Sequence, residues 1–104
     1  MASDLLIKQV KILQIFSETN DAKTFVLQPL EGWQPSYTEG QFLTLVFYTR
    51  HGEKRRSYSI SSCPSLDEPL SITVKKVENG EFSRMLLMYA RVDDVLYTSG
   101  INGL

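Results

Sequence analysis

The chain has 104 residues, of which 42% are hydrophobic and 22% charged, and its formal net charge at pH 7 is -1. This size and composition are typical of one ordinary globular domain, and the small net charge argues against a dedicated nucleic-acid-binding protein. A single cysteine, Cys63, and a single histidine, His51, are too few for a disulfide or the usual zinc site, so we predict no bound metal. Because no signal peptide or membrane span is recognisable, we expect a cytoplasmic protein.

Most of the chain reads as short strands separated by turn residues, a pattern typical of a sandwich or a barrel. Segment 31–39, which holds Gly32 and Pro35, is predicted to be a loop. In the fifth strand apolar and polar residues alternate, so that one face is predicted to be buried. The six predicted strands are 7–16, 24–28, 41–49, 55–61, 70–77 and 95–98.

The period of the apolar residues changes after the predicted turn at Asn79-Gly80. A helical stripe predicted to be buried follows it, and Ser83 is predicted to cap the helix. Segment 99–104 reads as a loop, with no closing strand, that leads into a further part of a longer chain. We therefore predict an all-β fold: a six-stranded antiparallel Greek-key barrel with one short helix at its open end. The stripe consists of Phe82, Met85, Leu86 and Tyr89.

The segment 56–62, Arg-Ser-Tyr-Ser-Ile-Ser-Ser, is the first candidate site. Arg56 and Tyr58 share one face of a strand. An arginine offers a fork of donors suited to phosphate oxygens, and a tyrosine offers a ring that stacks on a planar heterocycle. Ser59 adds a hydroxyl group beside that ring. A ligand with a ring and a phosphate would match, although an ordinary polar strand face would contain the same residues.

The segment Gly80-Glu81-Phe82-Ser83 is the second candidate. A glycine turn that runs into a helix presents unpaired N–H groups, which suit a diphosphate. An ordinary turn before a capped helix explains this four-residue pattern better when it is taken alone. Gly40-Gln41 before the third strand likewise carries no weight by itself.

In order and spacing, these segments together resemble the flavin-binding domain of the ferredoxin–NAD(P) reductase superfamily. That superfamily shows a Gly-Gln pair before a strand, then Arg-x-Tyr-Ser-x-x-Ser, then Gly-x-x-Ser at the start of a helix. The resemblance extends from about Ile7 to Leu104. Asp93 departs from it, because a glycine often stands there, and so does the segment 100–104. The matching residues here are Gly40, Gln41, Arg56, Tyr58, Ser59, Ser62, Gly80 and Ser83.

The resemblance implies that the domain binds FAD. Tyr58 and Ser59 would lie at the reacting ring, as the catalytic pair, and Arg56 would contact the pyrophosphate. The backbone of Gly80, Glu81, Phe82 and Ser83 would hold the same pyrophosphate. The remaining implied cofactor-binding residues are the motif serine Ser62 and, on the ribityl or adenine side, Val74, Lys75 and Lys76.

The resemblance also implies a function. The chain would be the FAD-binding half of an NAD(P)H-dependent oxidoreductase that passes electrons to flavodoxin, ferredoxin or a fused iron–sulfur domain. No glycine-rich dinucleotide fingerprint is present, so we expect a nicotinamide-binding domain after Leu104, and self-association through the surface where it would dock. The basic pairs 54–55 and 75–76 would suit an acidic redox partner, and solvated strand edges explain them equally well. Two alternatives remain: a non-catalytic β-barrel interaction module, and a barrel that binds another small ligand.

Overall fold

The computed structural model describes residues 7–77 and 80–103. It contains six strands and one α-helix, α1 (Glu81–Tyr89), which lies between the fifth and sixth strands as predicted. A short 3₁₀ helix spans Pro64–Leu66. No helix in these two stretches of chain is long and apolar enough to cross a membrane. The strands are β1 (Lys8–Thr19), β2 (Ala22–Pro29), β3 (Phe42–Thr49), β4 (Gly52–Ile60), β5 (Ser71–Lys75) and β6 (Val95–Asn102).

The strands form a closed antiparallel barrel in the order β1-β2-β5-β4-β3-β6. Strands β3, β4 and β5 are consecutive neighbours, and β2 lies beside β5, which is the Greek-key arrangement. The predicted fold class is therefore confirmed. The pairing is uneven among residues 7–77 and 80–103. There β4 pairs with β3 from Gly52 to Ser59, but with β5 only at Ser59 and Ile60. The edge of β4 that faces β5 is consequently open over most of its length.

The core follows the alternation of the strands. Leu43 and Leu45 of β3 and Ile72 and Val74 of β5 are completely buried, as are apolar residues of β1. Leu86 of α1 joins this core, so the helix closes one end of the barrel as predicted.

The buried face of α1 is rotated from the predicted stripe. Phe82 and Leu86 are buried as expected, but Met85 is 41% exposed and Tyr89 68% exposed. The prediction was wrong for these two residues because the contact face centres on Phe82, Ser83 and Leu86, and turns away from Met85 and Tyr89.

The predicted helix cap is also wrong. The residue before α1 is Gly80, which makes no side-chain capping bond. Ser83 lies inside the first turn, where it is buried and its hydroxyl donates to Gly80 O at 3.3 Å. Asn79, the other half of the predicted turn, lies outside the described residues.

The predicted loop at 99–104 is wrong as far as Asn102. Strand β6 continues to that residue and completes the barrel, with Ile101 opposite Leu43. The register shifts between Thr44 and Leu45, opposite a Gly100 whose φ is 115°. A β-bulge accounts for the difference, because it inserts an extra residue without ending the strand and glycine readily adopts a positive φ.

Candidate functional site

A cleft of about 580 Å³ lies between the open edge of β4 and the first turn of α1. It brings together the two segments singled out by their sequence, 56–59 and 80–83, together with the outward face of β5. The shortness of the β4–β5 pairing creates the opening. The lining residues are Arg56, Ser57, Tyr58, Ser59, Thr73, Lys75, Val77, Gly80, Glu81, Phe82 and Ser83.

The Arg56 guanidinium group lies at the α1 side of the cleft. Its Cζ is 5.2 Å from the centroid of the Phe82 ring, and its Nη1 donates to Arg55 O at 2.7 Å. Arg55 itself pairs with the carboxylate of Glu53 at 2.6 Å, whereas Arg56 forms no ion pair with any carboxylate among residues 7–77 and 80–103. The cleft therefore holds a positive charge whose donors are available to an anion.

The first turn of α1 adds a second attraction for anions. The opening N–H groups of any helix have no partner within it, and here the first intrahelical bond is Arg84 N to Gly80 O at 3.0 Å. A Cβ atom on Gly80 would lie 2.5 Å from Ser83 Oγ and 2.9 Å from Val77 O. The turn therefore accepts only glycine without rearrangement. The helix dipole reinforces the positive potential of these N–H groups.

Glu81 places a carboxylate in this same turn. A negative charge there interacts favourably with the helix dipole and stabilises the helix, but it repels an anionic ligand. Any contribution of Glu81 to anion binding therefore comes from its backbone N–H and not from its side chain.

Tyr58 lies on the same face of β4 as Arg56 and is half-buried against the core. Burial raises the pKa of the Tyr58 hydroxyl, and the nearby charge of Arg56 partly opposes this rise. The phenol therefore keeps its proton at neutral pH. Ser59 is exposed beside it and stands opposite Thr73 of β5.

The open edge of β4 supplies backbone groups to the cleft. Ile60 N donates to Gln41 O on the β3 side, at 3.0 Å, and Ser61 N donates to Ser71 O on the β5 side, at 2.9 Å. Alternation directs the N–H and C=O of Ser57 to the β5 side as well. Because the pairing of described residues with β5 ends at Ser59, these groups of Ser57 face the cleft.

Three predicted site residues have side chains outside the cleft. Ser62 is buried, with its Oγ 2.8 Å from the Tyr37 hydroxyl and accepting from Ser71 N at 3.0 Å. Val74 is fully buried in the core. Lys76 lines a separate groove on the other side of α1. Ser62 therefore tethers the segment that follows β4, and Val74 could reach a ligand only through its backbone.

Three lining residues were missed in the sequence, namely Ser57, Thr73 and Val77. Thr73 and Lys75 share the face of β5 opposite the buried Val74, so the alternation of that strand was a usable signal for Thr73. No local signal pointed to Val77.

Comparison with known families decides the family of this chain. The family described as the oxidoreductase FAD-binding domain matches residues 6–104. The chain belongs to this family. This FAD-binding domain is 37% identical over 84 residues to the ferredoxin reductase component of a 3-ketosteroid-9-alpha-monooxygenase from Mycolicibacterium smegmatis, a match that covers 75% of the chain and 24% of that protein. It is 33% identical over 91 residues to a glycine betaine monooxygenase reductase subunit from Chromohalobacter salexigens, covering 88% of the chain and 25% of that subunit.

Solved structures show the same fold. Phthalate dioxygenase reductase superposes with a TM-score of 0.74 at 20% identity, covering 98% of the chain and 32% of that structure. A ferredoxin NADP+ reductase from Neisseria gonorrhoeae, with bound FAD and NADP, superposes with a TM-score of 0.73 at 23% identity. This match covers 94% of the chain and 39% of that structure. The FAD-binding domain thus spans about a quarter of the length of the curated relatives that it matches.

The residues of the cleft fit FAD. Arg56 and the first turn of α1 offer two attractions for a diphosphate, and both line the same cleft. Tyr58 offers a half-buried aromatic ring elsewhere in the same cleft. This distribution of charge and apolar surface matches a cofactor with a diphosphate and a planar ring.

Proposed function

We propose that this FAD-binding domain is one half of an NAD(P)H-dependent oxidoreductase that passes electrons from nicotinamide through FAD to a small redox carrier. The carrier would be flavodoxin, ferredoxin or an iron–sulfur domain. The observation that carries the proposal is that one cleft contains the Arg56 guanidinium, the uncapped first turn of α1 and the Tyr58 ring. The names of the relatives, a ferredoxin reductase component and a reductase subunit, support the reductase role.

Different residues of the cleft would bind different parts of the cofactor. Arg56 and the backbone N–H groups of 81–83 would bind the diphosphate, with Lys75 on the neighbouring wall of the cleft. The N–H of Gly80 already donates to Val77 O at 2.8 Å. Tyr58 would stack on the isoalloxazine ring, with Ser59 close to N5. When bound, FAD supplies the chemistry of accepting a hydride and releasing electrons singly. The domain contributes binding and orientation.

The protonated Tyr58 and the open edge of β4 would orient the ring system. The half-buried phenol offers an apolar face, and its hydroxyl is neutral at pH 7, as that of an ordinary tyrosine is. Burial raises its pKa further. The backbone N–H and C=O of Ser57 would hydrogen-bond the polar edge of the ring, much as an added strand would. The backbone of a strand is already ordered before the cofactor binds, so this contact costs no side-chain entropy.

A nicotinamide-binding domain after Leu104 would begin next to this cleft. Asn102 of β6 stands opposite Phe42 of β3, which stands opposite Ser59 of β4. Gln41 Nε2 donates to Gly103 O at 2.8 Å and holds the end of β6 in place. A segment continuing from there would leave the barrel two strands from Ser59, about 10 Å at the usual strand spacing. NAD(P)H bound by such a domain could reach the ring side of the cleft.

The partner and the compartment are proposals too. Exposed Lys54 and Lys75 would suit an acidic carrier, and the whole enzyme would work in the cytoplasm. Self-association stays a prediction. Its place would be the surface where the nicotinamide-binding domain would dock, and sedimentation of the chain over a range of concentrations would test it.

Titration of the cofactor-free chain with FAD, FMN and riboflavin tests the proposed site. FAD and FMN should bind more tightly than riboflavin, because only they carry phosphate. Equal affinity for riboflavin and FAD would contradict the phosphate roles. A chain that binds none of the three would support a non-catalytic barrel. For the reductase role, a version extended beyond Leu104 should reduce an acceptor with NAD(P)H, and the 104-residue chain should not.

A further inference from the structure

We infer that Phe82 is a positioning residue whose ring holds the Arg56 guanidinium beside the first turn of α1, and that this placement selects flavins that carry phosphate. The inference rests on the proposed FAD site and deepens it. Phe82 was singled out in the sequence for its backbone N–H and for burial against the barrel. The structure assigns its side chain a separate task.

Two contacts fix the guanidinium group. It stands 5.2 Å from the centroid of the Phe82 ring, within the range of an attractive cation–π contact. One of its N–H groups donates to Arg55 O at 2.7 Å. An arginine has five N–H donors, so the others stay available to a ligand. Without the ring, an exposed arginine on an open strand edge would sample many rotamers.

The Phe82 ring is itself fixed. Phe82 is buried, and its ring stacks on that of Phe47 with centroids 4.3 Å apart and planes inclined by 20°. Phe47 belongs to β3, so the ring of Phe82 packs on the barrel wall. The ring beside Arg56 is therefore held in place by the barrel.

The position of Phe82 joins the two groups that attract anions. It is the second residue of α1, so its backbone belongs to the turn whose N–H groups lack intrahelical partners. Its side chain brings a cation from β4 to that same turn. A phosphate group would meet both without first ordering the arginine, which lowers the entropic cost of binding. Riboflavin has no phosphate and would gain nothing from this arrangement.

The test compares dissociation constants for FAD, FMN and riboflavin in Phe82→Leu, Phe82→Tyr and Phe47→Leu. In Phe82→Leu the constants for FAD and FMN should rise about two- to fivefold, the range of an exposed cation–π contact, while that for riboflavin stays the same. Phe82→Tyr keeps the ring and should keep the affinity. Phe47→Leu is the matched control, because it removes the stack behind Phe82 but leaves the ring under Arg56. It should lower the free energy of unfolding, and its loss of affinity for FAD and FMN should be smaller than that of Phe82→Leu, because the ring stays beside Arg56.

A double-mutant comparison separates positioning from packing. In an Arg56→Gln background, Phe82→Leu should have no further effect on the ratio of FAD to riboflavin affinity. An equal loss for riboflavin, or a loss for FAD that persists without Arg56, would overturn the role of Phe82 and leave the proposed site standing. If Arg56→Gln alone leaves that ratio unchanged, the proposed phosphate site fails as well. Should Phe82→Leu fail to fold, a fluorinated phenylalanine at position 82 keeps the shape, and it should weaken FAD and FMN binding and leave riboflavin binding unchanged.

Discussion

Gly80 and Ser83 approach each other so closely that a Cβ atom on the glycine would lie 2.5 Å from Ser83 Oγ. The serine side chain can rotate away, but the same Cβ would also lie 2.9 Å from Val77 O, which belongs to the backbone. The two motif residues thus depend on one another. The glycine is required for close approach and not for an unusual φ, which is -83° here.

Gly80→Ala should therefore shift the first turn of α1 and weaken FAD and FMN binding more than riboflavin binding. Adding Ser83→Ala should recover part of the loss, because it removes the contact with Oγ but leaves the one with Val77 O. Calorimetric titration of the single and double variants measures both effects. If Gly80→Ala binds FAD like the parent chain, the turn is not part of the phosphate site.

Arg56→Gln should weaken FAD binding by about 1.5–3 kcal/mol, the range for hydrogen bonds to charged groups, and leave riboflavin binding nearly unchanged. The loss should shrink at high salt because exposed charges are screened. Arg55→Gln is the control, since that arginine pairs with Glu53 instead of lining the cleft. Equal losses for the two variants would assign the effect to the overall charge of β4.

Glu81→Gln should move affinity and stability in opposite directions. Removing the carboxylate lifts its repulsion of a diphosphate, so FAD affinity should rise about two- to fivefold at low salt. It also removes a charge that favours the helix N-terminus, so the free energy of unfolding should fall. A loss of both affinity and stability would show that the carboxylate itself serves the site.

Tyr58 should make stability fall at alkaline pH. Its pKa in the folded chain is raised above 10.0, chiefly by burial, so the buried phenol contributes stability that is fully present below the pKa of the unfolded chain. That contribution is lost as pH rises through the folded-state pKa. Urea unfolding over this alkaline range should show that the free energy of unfolding falls more steeply with pH for the parent than for Tyr58→Phe.

Tyr89→Phe is the control, because it alters a tyrosine that is 68% exposed. Its free energy of unfolding should fall with pH as steeply as that of the parent. Identical profiles for parent and Tyr58→Phe would contradict the effect of burial.

Asp93→Gly should stabilise the fold. Asp93 has a φ of 78°, in the turn between α1 and β6, and its N–H donates to Ile12 O at 2.8 Å. The left-handed region costs about 1–2 kcal/mol for most residues other than glycine, and the extra entropy of an unfolded glycine offsets about 0.5–1 kcal/mol of this. We expect a gain of up to about 1 kcal/mol in the free energy of unfolding.

Two controls accompany this variant. Asp93→Ala should be destabilising, since alanine lacks a side chain that tolerates this conformation. Asp93→Asn tests the exposed ion pair with Lys11, whose atoms are 4.0 Å apart, and should change little. A glycine variant less stable than the parent would mean that the backbone strain at this turn is negligible.

The sequence by itself determined the number and order of the strands and the place of the α-helix, and the shared face of Arg56 and Tyr58. Both follow from local rules: strands alternate with period two, and apolar residues that alternate must face a core. The antiparallel barrel was predicted from the pattern of strands and turns, and the family match separately confirms the resemblance. The named roles of Tyr58 and Ser59 stay predictions.

Only the tertiary structure decided which residues share the cleft. The contact between Arg56 and Phe82 joins a strand to a helix far along the chain, and the periodicity of the sequence does not predict it. The exposure of Tyr89 depended on how α1 rotates against the barrel, which is set by packing at Phe82 and Leu86. The continuation of β6 past Gly100 depended on a bulge opposite Thr44. These features depend on contacts between distant segments, whereas propensity and spacing describe only neighbours in sequence.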